Sequence, residues 1–324
     1  MDPLETAEQH SSPSHDEAIK SLMAQIESVI YGSTHSIKLL ISCFIAGGHA
    51  LIEDRPGVGK TALAKALAKS CSIQFNRVQF TPDLMPSDIT GALVWRPTDG
   101  ELIFRKGPIF TNILLGDELN RASPRVQSAL LEAMNESQVT VDGTTHKLSS
   151  PFFFIATQNP HEDAGCHSLP EAQLDRFYVK LQMGSPNPET ELELLLSRSS
   201  EDPIQNINPC LDENGALHLQ ESSKSIQIDP VLLRWLIEFA NISRKDQNVM
   251  RGLSPRALLQ MNSIAKAWAL IHHRKWVEPN DFQELLTPVF AHRLIPRQFN
   301  QHQNLDEAQS TLIQHWLEQC PLPQ

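Results

Sequence analysis

The sequence has few cysteines and no excess of positive charge. Five cysteines occur in 324 residues and none forms a C-x-x-C pair, which argues against a disulfide framework and a zinc finger and fits a reducing cytoplasm. The net charge is -11 with the histidines neutral, so the protein has no basic field that would attract a polyanion. We therefore do not expect nucleic-acid binding to be its main task.

Long hydrophobic runs are also missing. The most apolar stretch, residues 37–48, is too short to span a bilayer and contains Lys38. Residues 1–16 are polar and acidic, without the hydrophobic centre of a signal peptide. We expect a cytoplasmic protein that does not insert into membranes.

The composition supports a folded chain of two domains. Apolar residues make up 40% and charged residues 20%, and the length favours two domains at about 150 residues each. Residues 1–14 resemble a disordered tail, residues 15–183 alternate predicted strands with helices, and residues 184–228 are rich in Pro, Ser, Asn and Glu, like a linker. Helical patterns occur at residues 231–240, 255–272 and 279–291, and we assign residues 229–324 to one helical domain. We predict an α/β domain with a parallel sheet between helices, followed by a smaller all-helical domain.

Five strands are predicted, at residues 49–52, 75–80, 111–115, 151–157 and 178–181. Residues 85–110 indicate an inserted hairpin, and a second hairpin is predicted around Asp142-Gly143. Ligands of parallel sheets bind at the carboxyl ends of the strands. The polar residues predicted at those ends are Lys60, Asp117, Glu118 and Asn159.

Residues 49–61 show the pattern of a strand, a tight loop and a helix, and they match G-x-x-x-x-G-K-[ST] except at its first position. Such a loop directs backbone N–H groups toward a phosphate chain at a helix N-terminus, which favours this function over a simple connecting turn. Lys60 is expected to reach the β and γ phosphates, and the Thr61 hydroxyl to ligate Mg²⁺. The predicted nucleotide-binding residues of this loop are Arg55, Pro56, Gly57, Val58, Gly59, Lys60 and Thr61.

Asp54 occupies the position where this pattern has its first glycine. Aspartate accepts left-handed backbone geometry at modest cost, so the loop can still form. Its carboxylate, if it lies within a few Å of a triphosphate, is expected to repel it by about 1 kcal/mol or more. Pairing with Arg55 would offset this repulsion. We therefore expect Asp54→Gly to tighten nucleotide binding several-fold.

Asp117 and Glu118 follow an apolar strand, which is the layout of a Walker B site. Asp117 would hold Mg²⁺ through water, and Glu118 would orient and polarise the attacking water. Asn159 follows the next buried strand, and two interpretations stay open for it. It contacts the γ phosphate or the water, or it forms an Asx turn before Pro160.

Two arginines stand in distinctive contexts, Arg176 in Leu-Asp-Arg-Phe and Arg256 in Gly-Leu-Ser-Pro-Arg-Ala. A guanidinium group suits the charge that spreads over phosphate oxygens, so both are candidate charge stabilisers. Together with six further segments, these two arginines resemble the pattern of the MoxR family of AAA+ ATPases. The segments are QFTPDLMPSDITG at 79–91, GPIF at 107–110, DELNRA at 117–122, QSALLEAM at 127–134, ATQNP at 156–160 and LPEAQLDRF at 169–177. The resemblance covers about residues 25–295.

The resemblance implies an AAA+ core with a helical lid, ATP and Mg²⁺ as cofactors, and a ring, typically a hexamer. It further implies that both hairpins point toward a central pore, and that the protein activates or matures partners, often ones with von Willebrand factor A domains. The implied roles are Walker A for Lys60 and Thr61, Walker B for Asp117 and Glu118, sensor 1 for Asn159, an arginine finger acting on a neighbouring subunit for Arg176, and sensor 2 for Arg256.

Three positions depart from the family pattern: Asp54, Gly116 in place of the usual Ala, and Cys166-His167 in place of Thr-Tyr. The Cys166 region has no standard metal-ligand spacing, so a metal site is not favoured there. In the helical domain, Trp235, Trp268 and Trp276 are predicted core residues. Two other functions stay open, a nucleotide-binding switch without significant hydrolysis and, less consistent with the charge, a DNA motor.

Overall fold

The computed structural model describes residues 15–30, 32–55, 57–98, 100–159, 169–184, 188–189, 191–192, 203–297 and 305–323. Five strands form one sheet, and every pairing in it is parallel, which confirms the predicted fold class. In spatial order these strands are β2 (Phe75–Gln79), β5 (Ile113–Asp117), β8 (Phe153–Gln158), β1 (Ala50–Glu53) and β9 (Val179–Leu181).

Both faces of the sheet are buried, because alternate residues of the apolar strands point to opposite sides. In β5, Ile113 and Leu115 join one hydrophobic cluster, and Leu114 joins the other. The first face is covered by α1 (His15–Glu27), α2 (Thr34–Ile45) and α3 (Lys60–Ser70). The second is covered by α4 (Pro86–Thr90) and α5 (Pro124–Glu136).

Two antiparallel hairpins extend this domain, as predicted. One pairs β3 (Gly91–Arg96) with β4 (Glu101–Lys106), and its side chains Trp95 and Leu102 are about 60% exposed. The other pairs β6 (Gln138–Val141) with β7 (Thr144–Lys147). Its turn residues Asp142 and Gly143 both have positive φ, 48° and 80°, which a two-residue turn of this kind requires.

The helical domain consists of α7 (Glu213–Lys224), α8 (Pro230–Lys245), α9 (Pro255–Ile271), α10 (Pro279–Phe290) and α11 (Leu305–Gln319). A short α6 (Glu171–Leu174) precedes β9. Side chains of this helical domain, which we call the lid, share one hydrophobic cluster with the first face of the sheet. The lid therefore packs directly on the sheet domain.

Two expectations for the lid region are wrong in part. The expected linker, residues 184–228, contains α7, which packs on α2 and α9 through Ala216 and Leu219 and is capped by Asp212. Its apolar positions are few, so the polar composition concealed them. Trp235 and Trp268 are buried, but Trp276 is 57% exposed because it lies between α9 and α10 and not on a helix.

The structure also contains α11, which the sequence patterns did not predict. Its three glutamines and one histidine dilute the apolar periodicity, although Ile313 and Trp316 are buried. Within the described residues, none of the helices is both long and apolar enough to cross a membrane.

Candidate functional site

The carboxyl ends of β1, β5 and β8 open into a cleft of about 420 Å³, which we call the strand-end cleft. Its volume lies in the range of small-molecule sites. Because the strands are parallel, residues far apart in sequence meet at this edge. The lining residues are Gly57, Gly59, Lys60, Thr61, Ala62, Arg77, Gln79, Asp117, Glu118, Thr157 and Asn159.

The loop before α3 has the backbone that its glycines permit. Gly57 and Gly59 have φ of 90° and 92°, a region that other residues seldom adopt, and Gly59 directly precedes the helix. Lys60 is 9% exposed, and its Nζ donates to the backbone oxygen of Asp54 at 2.5 Å. Burial lowers the pKa of Lys60, while the neighbouring acids, first Asp54, oppose that shift.

Asp54 does not face the cleft as expected. Its Oδ2 accepts hydrogen bonds from the backbone N–H groups of Met183 (2.8 Å) and Gly184 (2.9 Å), and its Oδ1 accepts one from the N–H of Arg55. The expectation of direct repulsion from phosphates is therefore wrong. The carboxylate instead ties the start of the loop to the segment that follows β9.

The remaining predicted residues of this loop have other positions. Arg55 is exposed, and Val58 packs against the hydrophobic core, so neither is among the cleft-lining residues. Pro56 lies outside the described residues. Of the predicted loop residues, the cleft is therefore lined by Gly57, Gly59, Lys60 and Thr61.

Asp117 is held by two residues that the sequence reasoning missed. Its Oδ1 accepts a hydrogen bond from Thr157 Oγ1 at 3.2 Å, and its Oδ2 accepts one from Arg77 Nε at 2.5 Å. Arg77 lies on the neighbouring strand β2, two residues before Gln79, so period-two alternation places both on the cleft side. That alternation of long polar residues was the available signal.

Glu118 adopts a left-handed backbone conformation, with φ of 57°. A residue other than glycine rarely does so unless its surroundings enforce it. Here its N–H donates to Thr157 Oγ1 at 3.1 Å, and its Oε2 accepts from Arg121 Nη1 at 3.0 Å. Both acidic side chains of the cleft are therefore paired with arginines of the same chain.

These residues fit a triphosphate with Mg²⁺. Among the described residues, the only hydrogen-bond partner of buried Lys60 is a neutral carbonyl, so an anion would compensate its charge far better. The N-terminus of α3 adds backbone donors for phosphate. Thr61 and Asp117 supply the oxygen ligands that Mg²⁺ prefers.

Gly116, the departure inside the Walker B strand, is explained by packing. A Cβ at this position would lie 2.6 Å from the ring of Phe80 and 2.7 Å from that of Phe154. Only glycine fits between these rings without movement of both. The rings of Phe80 and Phe154 thus account for glycine instead of alanine at this position.

Arg176 and Arg256 lie elsewhere. Arg176 precedes β9, whose first residue Val179 pairs in parallel with Ala50 at the beginning of β1. Arg176 therefore lies at the amino end of the sheet, opposite to the strand-end cleft. Arg256 is exposed in the first turn of α9, whose cap residue Ser254 binds Asp175. We call Arg176, Arg256 and Arg293 around Asp175 the arginine corner.

The Cys166 region, where a metal site was not favoured, cannot be placed, because Cys166 and His167 lie outside the described residues. In the part of the chain that is described, no group of three His, Cys, Asp or Glu side chains could hold a metal ion.

Comparison with known proteins gives consistent matches. The family model "ATPase family associated with various cellular activities (AAA)" matches residues 49–179, and the "AAA lid domain" model matches residues 242–313. The chain is 44% identical to "Uncharacterized protein YeaC" of Bacillus subtilis, over 83% of this chain and 84% of that protein. It is 37% identical to "Chaperone MoxR1" of Mycobacterium tuberculosis, over 84% of this chain and 74% of that protein.

The fold has a matching solved structure. A crystal structure of an ATPase candidate from Cytophaga hutchinsonii superposes with a TM-score of 0.83 and 34% identity, and the match covers 96% of both chains.

Proposed function

The chain belongs to the MoxR family of AAA+ ATPases, and from this premise we propose that it hydrolyses ATP with Mg²⁺ to remodel, activate or mature a partner protein. The name of the chaperone relative supports the last part of the proposal. The observation that carries it is the convergence of Lys60, Asp117 and Glu118 in one cleft.

Each residue of the cleft has a task that its position allows. Lys60 and the N-terminus of α3 bind and orient the triphosphate, and Asn159 orients the γ phosphate or the attacking water. Glu118, once released from Arg121, accepts a proton from that water and aligns it. Thr61 and Asp117 would hold Mg²⁺, which when bound would neutralise part of the phosphate charge.

The arginine corner supplies the second half of the site. Neither Arg176 nor Arg256 lines the cleft of its own subunit, so we propose that both act on the nucleotide of a neighbour in a ring, which we take to be a hexamer. We also propose a cytoplasmic location, and a client that contains or accompanies a von Willebrand factor A domain. The exposed β3–β4 hairpin is the proposed client-facing loop.

Two variants test the assignment of the cleft. Lys60→Ala removes a phosphate contact and should lose nucleotide binding. Glu118→Gln should keep binding and lose turnover by about a hundredfold or more, because it removes only the water-polarising group. Equal nucleotide affinity of Lys60→Ala and the wild type in a calorimetric titration would refute the proposal. Stimulation of the ATPase rate by single-stranded DNA would instead indicate a DNA motor.

A nucleotide-binding switch without turnover is the second candidate. It is favoured by one observation: Arg77 and Arg121 pair with the two acids that hydrolysis needs. A switch would bind ATP with Lys60-dependent affinity, yet release no phosphate over many binding lifetimes. Purification of partners on Glu118→Gln protein with ATP would then identify the client under either function, because the ATP state should hold it longest.

A further inference from the structure

The lid binds both residues that flank Arg176 in the chain. On one side, the carboxylate of Asp175 accepts hydrogen bonds from Ser254 Oγ at 3.1 and 3.3 Å and from Arg293 Nη1 at 3.2 Å. Its backbone oxygen accepts another from Gln260 Nε2 at 3.1 Å. All three donors belong to the lid, with Arg293 in the short helix Ala291–Arg293 between α10 and α11, so the lid fixes Asp175 through side chain and backbone.

On the other side, the backbone oxygen of Phe177 accepts hydrogen bonds from Arg293 Nη2 at 2.7 Å and from His292 Nε2 at 3.1 Å. Arg293 therefore bridges the two neighbours of Arg176 with one guanidinium group. Its side chain is only 5% exposed. Burial lowers the pKa of Arg293 to about 10 against the effect of Asp175, so it stays protonated at neutral pH.

Arg176 itself is in a different situation. Its Nε and Nη1 are buried, and no hydrogen-bond partner for them occurs within the described ranges. Buried donor nitrogens without partners are unfavourable, and an anion from outside would satisfy these two. The backbone is thus fixed while the charged end is left unsatisfied.

We propose that the lid holds Arg176 in position for the nucleotide of a neighbouring subunit, with Asp175 and Arg293 as the positioning residues. This inference rests on the proposed function, in which Arg176 acts between subunits. Ser254 caps α9 and binds Asp175, so the same contacts join Asp175 to the first turn of α9, in which Arg256 lies. The lid of one subunit then controls the ATP site of the next.

Asp175→Asn tests the proposal, because it keeps the size of the side chain and weakens the bond to Arg293. We expect kcat to fall at least tenfold, while the affinity of its own cleft for a fluorescent ADP analogue stays unchanged. Asp212→Asn is the matched control: it also weakens a capping aspartate, whose Oδ1 accepts from Gly215 N at 2.7 Å, but it lies far in sequence from the arginine corner. Because Asn caps a helix about as well as Asp, this control should change thermal stability little and leave kcat unchanged.

Two further measurements separate positioning from a structural role. Asp175→Asn subunits mixed with Glu118→Gln subunits should regain turnover, because some interfaces combine an intact Glu118 with an intact arginine corner. In addition, Asp175→Asn should not slow Arg176→Ala any further, since a residue that acts through Arg176 has no effect in its absence. Additive losses, or no recovery in mixed rings that demonstrably co-assemble, would overturn the proposal.

Failure of the proposed function can be distinguished from failure of the positioning role. If the wild type binds ATP without hydrolysis, ATP-promoted assembly measured by sedimentation still decides the inference: Asp175→Asn should weaken it and Asp212→Asn should not. Wild-type turnover with an unaffected kcat in Asp175→Asn would overturn the positioning role alone.

Discussion

The two ends of the central sheet differ in how their charged groups are satisfied. In the strand-end cleft, the acids are paired inside the chain, Asp117 with Arg77 and Glu118 with Arg121. In the arginine corner, Asp175 is paired with Arg293, but two buried nitrogens of Arg176 have no partner among the described residues.

This difference indicates two kinds of site. In the cleft the acids have partners inside the chain, and these pairs are partly exposed and therefore weak, so a ligand could displace them. The corner has a framework of lid contacts around Arg176, two of whose buried nitrogens have no partner within the described ranges. The following predictions test the division, in order of decreasing effect.

The largest effect is expected for Arg176→Ala. If the corner serves a neighbour, this variant binds ATP nearly normally and hydrolyses it about 10³-fold more slowly, as when an arginine finger is removed. Steady-state turnover and nucleotide titration measure the two quantities. Arg251→Ala is the control, since Arg251 is an exposed lid arginine paired with Glu171 at 3.5 Å. Loss of nucleotide affinity in Arg176→Ala would place this residue in its own cleft.

Mild acid should weaken the amino end of the sheet. Burial lowers the pKa of His49, which precedes β1, to about 4, and it lowers the pKa of His292 in the lid well below its usual value. The unfolded chain then binds more protons than the folded one between pH 6.5 and 4, so the stability present at pH 7 falls as the pH falls. His49 alone accounts for a loss of about 2 kcal/mol by pH 5.

Urea unfolding at pH 7 and pH 5 measures this loss, and His49→Gln should reduce the pH dependence. The exposed His315→Gln serves as the control. An unchanged pH dependence in His49→Gln would show that other groups govern acid unfolding.

Asp54→Gly should weaken nucleotide binding about tenfold, the reverse of the sequence-based expectation. The substitution removes the acceptor of three backbone N–H groups. Leaving such donors unsatisfied costs about 1–3 kcal/mol, which is divided between the free energy of nucleotide binding and that of unfolding. Calorimetry with ATP and Mg²⁺ gives the affinity. Asp229→Ala, which removes a cap accepting from Val231 N at 2.8 Å, should lower stability without this loss. Tighter binding by Asp54→Gly would restore the repulsion hypothesis.

The smallest effect is expected for Arg77→Gln. Arg77 Nε donates to Asp117 Oδ2 and so competes with Mg²⁺ for this carboxylate. Removal of Arg77 should therefore lower the Mg²⁺ concentration needed for half-maximal nucleotide binding about three-fold, which corresponds to a pair worth roughly 0.5–1 kcal/mol. Titration of Mg²⁺ at fixed nucleotide measures this shift. Arg105→Gln on β4 is the control. A higher Mg²⁺ requirement would mean that Arg77 orients Asp117 for the ion and does not compete with it.

The sequence predicted what depends on local pattern. The five strands, both hairpins and the meeting of Lys60, Asp117 and Glu118 follow from hydrophobic runs and from the rule that parallel strands end at one edge. The helical domain followed from helical periodicity, whereas its packing on the sheet, seen in the shared hydrophobic cluster, was not predicted.

What the sequence could not predict depends on partners distant in the chain. The direction of the Asp54 side chain is set by the N–H groups of Met183 and Gly184, which come near only when β9 pairs with β1. The pairing of Arg77 with Asp117 likewise requires the strand order. The alternation of Arg77 and Gln79 indicates which side of β2 they share, but nothing local to Asp54 or to Arg77 identifies the partner groups.

The placement of the cleft and the arginine corner at opposite ends of parallel strands constrains the symmetry of any assembly that joins them. A contact between one subunit's corner and the next subunit's cleft uses two different surfaces, so it is heterologous and repeats head to tail. An open row of such subunits always leaves one cleft at its end without arginines. Closure of the row completes that last site, so under the proposed function ATP turnover at every site requires a closed ring.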